Sequence, residues 1–137
     1  MKITLIIPVI GCCACISGCK KNYPAYPDGK TMLYHIEGND TISRVVIPNS
    51  FTPEFDGIND GFYLQNNSLD PSNVFLMEIY NSNGEKIFES NSIVYTSGWY
   101  GECKGTMCPN GTYNYHLKVT DTTGYLFDHT GLIHLIR

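Results

Sequence analysis

Apolar and polar residues alternate in several short stretches of the chain, and the clearest of these is residues 112–120. Tyr113, Tyr115, Leu117 and Val119 occupy every second position of this stretch, with polar residues between them. A period of two is typical of a β-strand that buries one face. The four apolar side chains are therefore predicted to point into the core.

Residues 74–80 carry apolar side chains on both faces, which predicts a strand in the interior of a sheet. The segment Asn81-Ser82-Asn83-Gly84 follows directly, and its last two residues tolerate the positive φ of a tight hairpin turn. Residues 85–89 should then return antiparallel to the first strand. This hairpin is the strongest predicted strand pair in the chain.

Shorter apolar stretches predict further strands at residues 31–36, 45–47, 61–65, 125–127 and 131–136. No window of eleven residues after Cys19 has the 3.6-residue period of an amphipathic helix. Seven or eight short strands with frequent turns predict an all-β fold, an immunoglobulin-like antiparallel β-sandwich over residues 31–137. The side chains expected in its core are Phe51, Phe62, Leu76, Ile79, Phe88, Trp99, Tyr113, Tyr115, Leu117, Ile133 and Leu135.

The first nineteen residues have a different pattern. Lys2 is followed by an apolar run at positions 3–16, which is too short to span a hydrocarbon core of about 30 Å as a helix. A basic start, a short apolar middle and then small residues form the order of a secretory signal. We therefore expect residues 1–18 to be a signal peptide that is removed.

The signal ends in Ile16-Ser17-Gly18-Cys19, which resembles the bacterial lipobox, in which the cysteine is acylated and becomes the first residue of the mature protein. We expect lipidation of Cys19, and acyl chains there would hold the protein to a membrane. Residues 19–30 contain two prolines and few aliphatic side chains, which predicts an extended tether. An ordinary signal peptide with a coincidental cysteine is the alternative.

The composition argues against two classes of protein, nucleic-acid-binding proteins and disordered proteins. The chain has 137 residues, enough for one domain, and a net charge of −4 from nine Lys and Arg against thirteen Asp and Glu. Its longest basic run is the pair Lys20-Lys21, which argues against nucleic acid as a partner because such binding needs a concentrated positive face. The apolar and aromatic content is high enough for a packed core, which argues against a disordered chain.

Four of the six cysteines lie in the expected signal peptide or at the lipidation site, which leaves Cys103 and Cys108. Two thiols in an exported protein form a disulfide more often than a metal site. The four residues between them read as a hairpin tip, across which the Cα atoms would be about 5.5 Å apart, within disulfide range. A free reactive thiol is the alternative, but no histidine lies nearby in sequence to activate either one.

Several motifs follow one another along the second part of the chain: PNSFTP (48–53), DGINDGF (56–62), IYN (79–81), GEKIFES (84–90), WYG (99–101), PNGTYNY (109–115) and GLIHLIR (131–137). In order and spacing they resemble the gliding motility-associated C-terminal domain, the type B sorting domain of the type IX secretion system. The resemblance covers residues 45–137. The resemblance implies a β-domain that ends in a terminal strand and a terminal Arg. It also implies that the secretion apparatus recognises this domain as a sorting signal.

The chain departs from the family's pattern in its loops and in its architecture. Glu54-Phe55 stands where the family commonly has Asn-Gly, Ser82-Asn83 where it has Arg-Trp, and Tyr100 where it has an acidic residue. The family domain normally follows a large secreted cargo, whereas only the expected lipid site and tether precede it here. We therefore expect a sorting-type fold that delivers no separate cargo.

The family motif loop, with Asp56, Gly57, Asn59 and Asp60, is rich in oxygen atoms that could hold Ca²⁺. Placing the glycine at the sixth position of an EF-hand loop puts Tyr63 at the twelfth, where a bidentate Glu is required, so that frame fails. Hydrogen bonds from these side chains to the loop backbone are the expected role. We predict no metal site.

Trp99 and Tyr100 could form an aromatic platform for a sugar ring, although a lone Trp in a small sandwich more often belongs to the core. The four histidines lie in different predicted elements. The sequence contains no nucleophile elbow, phosphate loop, zinc motif or nucleotide fingerprint. We therefore expect no enzyme activity, no cofactor and no small-molecule substrate.

Together these features predict a membrane-anchored lipoprotein whose β-sandwich acts as a protein-interaction or sorting module. Its expected partners are a lipid membrane, through acylated Cys19, and the type IX secretion apparatus. Its expected location is the outer membrane, facing either the periplasm or the cell surface. The alternative is a surface adhesion or glycan-binding module with no sorting role.

Overall fold

A computed structural model describes residues 30–64, 69–70 and 74–137. The expected signal peptide, the lipidation site Cys19 and the tether up to residue 29 lie outside the described residues, as does Gln65. The elements are β1 (Lys30–Glu37), β2 (Asp40–Pro48), β3 (Ser50–Phe51), β4 (Phe75–Tyr80), β5 (Lys86–Ser90), a 3₁₀ turn (Tyr95–Ser97), β6 (Glu102–Cys103), β7 (Thr106–Met107), β8 (Gly111–Thr120) and β9 (Leu126–Leu135). The predicted all-β sandwich is confirmed, and the described part of the chain has no helix long and apolar enough to cross a membrane.

Five strands form the main sheet, in the order β3-β9-β8-β4-β5. Its longest pairing joins β8 and β9, antiparallel from Gly111 opposite Leu135 to Thr120 opposite Leu126. The predicted hairpin is present as β4 and β5, with β5 at the edge of the sheet. The two residues of β3 are an exception, because they pair in parallel with the end of β9. Alternation in the sequence cannot reveal this, since side chains alternate in the same way in parallel and antiparallel strands.

The last strand is longer than the sequence predicts. The two strands expected at residues 125–127 and 131–136 form one continuous strand, β9, which begins at Leu126 and ends at Leu135, so that Tyr125 and Ile136 lie outside it. Of the polar residues between the two apolar stretches, Asp128 and Thr130 are exposed on the outer face and His129 is buried on the inner face, so the three interrupt the apolar run and not the strand. Gly131 lies opposite Tyr115 of β8, and a Cβ there would collide with the tyrosine ring. This glycine therefore permits close packing between strands.

The core follows the predicted alternation, with two errors. Every side chain of the predicted core set is buried except Leu76 and Phe88, which are only partly buried. The buried side chains of β4 are instead Phe75, Met77 and Ile79. Leu76 and Ile79 cannot both point inward, because side chains three positions apart in a strand lie on opposite faces.

The hairpin of β1 and β2 forms a second, two-stranded sheet. Its buried side chains Leu33, Val45 and Ile47 belong to the same hydrophobic cluster as those of the main sheet. Because a sheet is stable when its apolar face packs on another layer, the hairpin completes the sandwich. Residues 30–44 are therefore part of the domain, although the motifs begin only after them.

Asp121, directly after β8, is fully buried and fixes this hairpin to the main sheet. Its Oδ2 lies 2.7 Å from His35 Nδ1 of β1 and accepts a 2.6 Å hydrogen bond from the Ser43 hydroxyl of β2. Its Oδ1 accepts bonds from the N–H (2.8 Å) and hydroxyl (2.6 Å) of Thr123 and from the Tyr125 N–H (3.0 Å). Burial alone would raise the pKa of Asp121, but these hydrogen bonds outweigh it and hold the pKa well below its usual range.

Candidate functional site

Five of the seven motifs meet, wholly or in part, at one end of the sandwich, which we call the motif end and which comprises residues 48–62, 99–113 and 134–137. The other two, IYN and GEKIFES, lie in the hairpin of β4 and β5. The first motif contains β3, and the last contains the end of β9. Besides the parallel pairing, the His134 N–H donates to the Asn49 carbonyl (2.9 Å) and the Ile136 N–H donates to the Phe51 carbonyl (3.1 Å). Segments far apart in the sequence are thus held side by side.

Trp99 connects the motifs at this end. Its ring is fully buried, with ring centroids 5.2 Å from Phe51 and 5.0 Å from Tyr113. Its backbone exchanges two hydrogen bonds with Phe62 (2.8 and 2.9 Å), and its indole N–H donates to the Glu102 carbonyl (2.9 Å). Aromatic pairs at this spacing stabilise a core beyond the area they bury. Trp99 is therefore the packing centre of the motif end.

The aromatic platform that Trp99 and Tyr100 could form for a sugar is not present. Sugar rings stack on an exposed aromatic face, and Trp99 has none because its exposed fraction is 0%. Tyr100 is partly exposed, and its hydroxyl donates to the Tyr95 carbonyl (2.8 Å). Burial raises the pKa of the Tyr100 phenol. The structure gives no support to glycan binding at these two residues.

The family motif loop is held by its own side chains. The Gly57 N–H donates to Asp60 Oδ2 and the Ile58 N–H to Asp56 Oδ1, both at 2.8 Å, and the Thr52 N–H donates to the carbonyl of Asn59, also at 2.8 Å. Gly57 and Asn59 have positive φ, of 85° and 53°. The other oxygen of the Asp60 carboxylate, Oδ1, is buried without a hydrogen-bond partner. Among the described residues, no group of three or more His, Cys, Asp or Glu side chains is placed to hold a metal ion.

A disulfide hairpin, formed by residues 102–108, is bound to the end of the last strand. β6 and β7 pair antiparallel, and a disulfide joins Cys103 to Cys108 with Cα atoms 5.1 Å apart. The Arg137 guanidinium donates to the carbonyls of Cys108 (2.6 Å) and Gly101 (3.1 Å). The Asn110 amide in turn donates to the Arg137 carbonyl (3.0 Å). Arg137 therefore ties the last strand to the disulfide hairpin.

A cleft of about 390 Å³ lies between the β4–β5 turn and this hairpin. The Lys104 ammonium at the hairpin tip pairs with Glu85 of the turn, and this contact lowers the pKa of the Glu85 carboxyl. The walls of the cleft are more apolar than polar, and their polar groups are amides, hydroxyls and backbone atoms that can form hydrogen bonds. Its lining residues are Asn81, Ser82, Cys103, Pro109, Asn110, Gly111, Thr112 and Tyr113. Most of them belong to the motifs.

Tyr113 shapes one wall of the cleft. Its hydroxyl donates to the Pro109 carbonyl, four residues upstream, at 2.6 Å. This resembles the tyrosine corner of immunoglobulin-like sandwiches, in which a tyrosine near the start of a strand bonds back to the preceding backbone. Burial raises the pKa of the Tyr113 phenol. The motif PNGTYNY therefore has a structural role, because this hydrogen bond fixes the segment that leads into β8.

A charged cluster that the sequence did not predict lies on the outer face of the main sheet. His116 of β8 contacts Glu78 of β4 through Nδ1 (2.9 Å) and Asp128 of β9 through Nε2 (2.7 Å). The hydrogen bond with Glu78 raises the pKa of His116, and the same bond lowers the pKa of the Glu78 carboxyl. The three residues come from three strands, so only the strand register reveals the cluster.

Comparison with known proteins adds one match. The family model described as the CHU_C Type IX secretion signal domain matches residues 45–135, which is more than half of the chain. This family is one of secretion signals and not of enzymes. No curated protein matches the chain. The matched range contains every residue of the motif end except Ile136 and Arg137.

Proposed function

The chain belongs to the family of type IX secretion signal domains, and we propose that its motif end is the surface by which the type IX secretion apparatus recognises it. The observation that supports this proposal is the convergence of the motifs. Trp99, Arg137 and the β3–β9 pairing hold the loop, the disulfide hairpin and the last strand together at one end of the sandwich. A sorting signal has to present a fixed surface, and these contacts fix the motif end.

We further propose that the protein is a lipoprotein, acylated at Cys19 and held at the outer membrane. The order of Lys2, the apolar run and Ile16-Ser17-Gly18-Cys19 supports this step. Because β1 begins at Lys30, residues 20–29 would connect anchor and domain and could extend to at most about 35 Å. The domain would then lie close to the membrane, on whichever side the protein faces.

Protease accessibility of the full-length protein on intact cells tests the recognition proposal. We expect the protein to be cleaved from outside in cells with a working type IX apparatus, and to be protected in cells that lack it. Lysed cells of both strains provide the control for cleavage. Equal accessibility in both strains would contradict the proposal and favour a tethered module that reaches its location by another route.

The anchor is tested separately with Cys19→Ala. We expect this variant to be released from membranes or to remain as the unprocessed precursor, because the acylated thiol is lost. The Cys103→Ala, Cys108→Ala double variant is the control, since it removes cysteines without leaving an unpaired thiol and keeps the lipidation site intact. A Cys19→Ala protein that is processed and fractionates with membranes like the wild type would contradict lipidation.

A further inference from the structure

The disulfide hairpin buries little apolar surface of its own. β6 and β7 pair over only two residues each, and Cys103 is the only one of these four side chains that is not exposed. A two-stranded hairpin without a hydrophobic face is at best marginally stable in water. The covalent link from Cys103 to Cys108 is therefore a major constraint on the distance between the two strands.

Arg137 binds the base of this hairpin. Its Nη1 donates to the Cys108 carbonyl (2.6 Å), and its Nη2 donates to the Gly101 carbonyl (3.1 Å). The Cys108 N–H donates to the same Gly101 carbonyl (2.8 Å). A guanidinium is a rigid planar fork, so it reaches both carbonyls only while residues 101 and 108 are held side by side. The fit is close, because a Cβ on Gly101 would lie 2.7 Å from the guanidinium.

The cross-link therefore controls whether Arg137 stays bound. Without the disulfide, only the short pairing of β6 and β7 opposes separation of the two carbonyls, and the guanidinium loses an acceptor when they separate. The sequence has no other cysteine after Cys19, so within residues 20–137 each of the two thiols can pair only with the other. The oxidation state of this one pair thus determines whether the hairpin and the segment after β9 are held together.

We propose that oxidation of Cys103 and Cys108 regulates recognition by the secretion apparatus, so that the disulfide form is recognised and the dithiol form is recognised poorly. This inference rests on the proposed function, and it goes further by naming the covalent step that makes the motif end competent. Cysteines remain thiols in the cytoplasm, whereas disulfides form in the bacterial periplasm. The chain therefore acquires its sorting signal only after it has left the cytoplasm.

The covalent step is thiol–disulfide exchange with an oxidising protein of the periplasm. One thiolate of the pair attacks the disulfide of that protein, and the second thiolate displaces it from the mixed disulfide. The two thiols lose two protons and two electrons, and the disulfide of the oxidant is reduced to a dithiol.

Arg137 is a positioning residue in this mechanism, because its guanidinium is bound within the domain. Substitution of Arg137 and loss of the disulfide both act on the hairpin, so their effects should not be additive. Arg137→Lys is the informative substitution, since it keeps the positive charge and removes the planar fork.

The test in cells with the apparatus measures the externally cleaved fraction of the full-length protein. We expect the Cys103→Ala, Cys108→Ala double variant to lower this fraction about tenfold or more, because the hairpin is no longer constrained. Arg137→Lys should also lower it, and its addition to the double variant should lower it by no more than about a further twofold. Asp121→Asn is the control and should be exposed like wild type, because Asp121 follows the other end of β8 and bonds to β1 and β2.

Trypsin cleavage of the purified mature chain after Lys104, at the hairpin tip, measures opening of the hairpin directly. Reduction should speed this cleavage about tenfold or more, because the cross-link no longer restricts the tip. Asp121→Asn with its disulfide intact is again the control and should be cleaved there as slowly as oxidised wild type. A rate that is the same before and after reduction would show that the hairpin stays closed without its cross-link, which contradicts the inference.

The cellular outcomes separate this inference from the proposed function. Apparatus-dependent exposure of wild type, together with normal exposure of the double cysteine variant, would overturn the inference and leave the function in place. Exposure of wild type that does not depend on the apparatus would overturn both. An equal loss of exposure in Asp121→Asn would assign the effect to overall stability and reject control by the hairpin. A further tenfold loss when Arg137→Lys is added to the double variant would show independent effects and contradict the shared mechanism.

Discussion

Replacing Asp121 by Asn tests how the sandwich is held together. Asn keeps the shape of the side chain but removes its charge, and one oxygen becomes an amide NH₂. On the Oδ2 side this donor would face His35 Nδ1 and the Ser43 hydroxyl, which now approach at 2.7 and 2.6 Å. On the Oδ1 side the three bonds from Thr123 and Tyr125 would remain, with a neutral acceptor. The hairpin of β1 and β2 should therefore be held less firmly.

The magnitude follows from the number of bonds. A hydrogen bond to a charged group contributes about 1.5–3 kcal/mol and a neutral one about 1 kcal/mol. The Ser43 hydroxyl can rotate and accept from the new amide, whereas His35 can accept only as the tautomer with its proton on Nε2. Asp121→Asn weakens the contacts with His35 and Ser43 and makes the acceptor of the Thr123 and Tyr125 bonds neutral, while the rotated Ser43 hydroxyl compensates in part. Together these changes should lower the free energy of unfolding by about 3 kcal/mol. That is a large part of the roughly 5–15 kcal/mol of a typical domain.

Urea unfolding of the mature chain measures this loss. Asp128→Asn is the matched control, because the Asp128 side chain is 52% exposed and its contacts with His116 and Lys118 lie at the surface. We expect the control to cost less than about 1 kcal/mol. Because folding lowers the pKa of Asp121, its contribution is fully present above the ordinary pKa of 3.8 and is lost as the pH falls. The difference between wild type and Asp121→Asn should therefore be constant from about pH 8 to about pH 5 and shrink in more acidic solution.

Two results would refute this reasoning. If Asp121→Asn unfolds at the same urea concentration as Asp128→Asn, the buried network does not hold the hairpin. If the difference between wild type and Asp121→Asn is unchanged at about pH 3, the stabilisation does not come from an ionised carboxylate.

Two further predictions concern the motif end and the outer face of the main sheet. Reduction should lower the free energy of unfolding of wild type by about 2 kcal/mol, because the Cys103–Cys108 link closes a short loop, and should not affect a Cys103→Ala, Cys108→Ala double variant. An equal response of both proteins would contradict the disulfide. Because folding raises the pKa of His116, its stabilisation is present below the ordinary pKa of 6.5 and is lost as the pH rises through the raised value. His116→Gln should therefore cost more stability at about pH 5.5 than at about pH 8.5, and a cost independent of pH would contradict this.

Local pattern was enough to predict most of the fold. Alternation in residues 112–120 identified the buried face of β8, and Asn83-Gly84 identified the turn between β4 and β5. Both features depend on neighbouring residues, which a sequence shows directly. The error at Leu76 came from expecting both faces of this strand to be covered, whereas only the face of Phe75, Met77 and Ile79 is buried and Leu76 shares the other face with Glu78. The parallel β3–β9 pair depends on chain topology, which alternation does not encode.

Less of the motif end could be predicted from the sequence. The motifs were visible, but their convergence depends on contacts such as Arg137 with Cys108, between segments far apart in the chain. The sequence at Asp121, Asp-Thr-Thr-Gly, is typical of an exposed turn and gives no indication of a buried carboxylate. Its partners His35 and Ser43 lie on another hairpin, so its burial could not be inferred. The positive φ of Phe55 was indicated only by the family resemblance, because the family commonly has a glycine at this position and glycine adopts that backbone freely.

Secretion of a reporter tests the central claim most directly, that the motif end acts as a sorting signal. The reporter carries an ordinary signal peptide and is followed by residues 30–137, so that β1 and the contacts of His35 are included. We expect the reporter to leave the periplasm, or to attach to the cell surface, in cells with a type IX apparatus, and to do neither in cells without one. Retention of the reporter in the periplasm of both strains, with the domain folded, would show that the motif end is not a sorting signal.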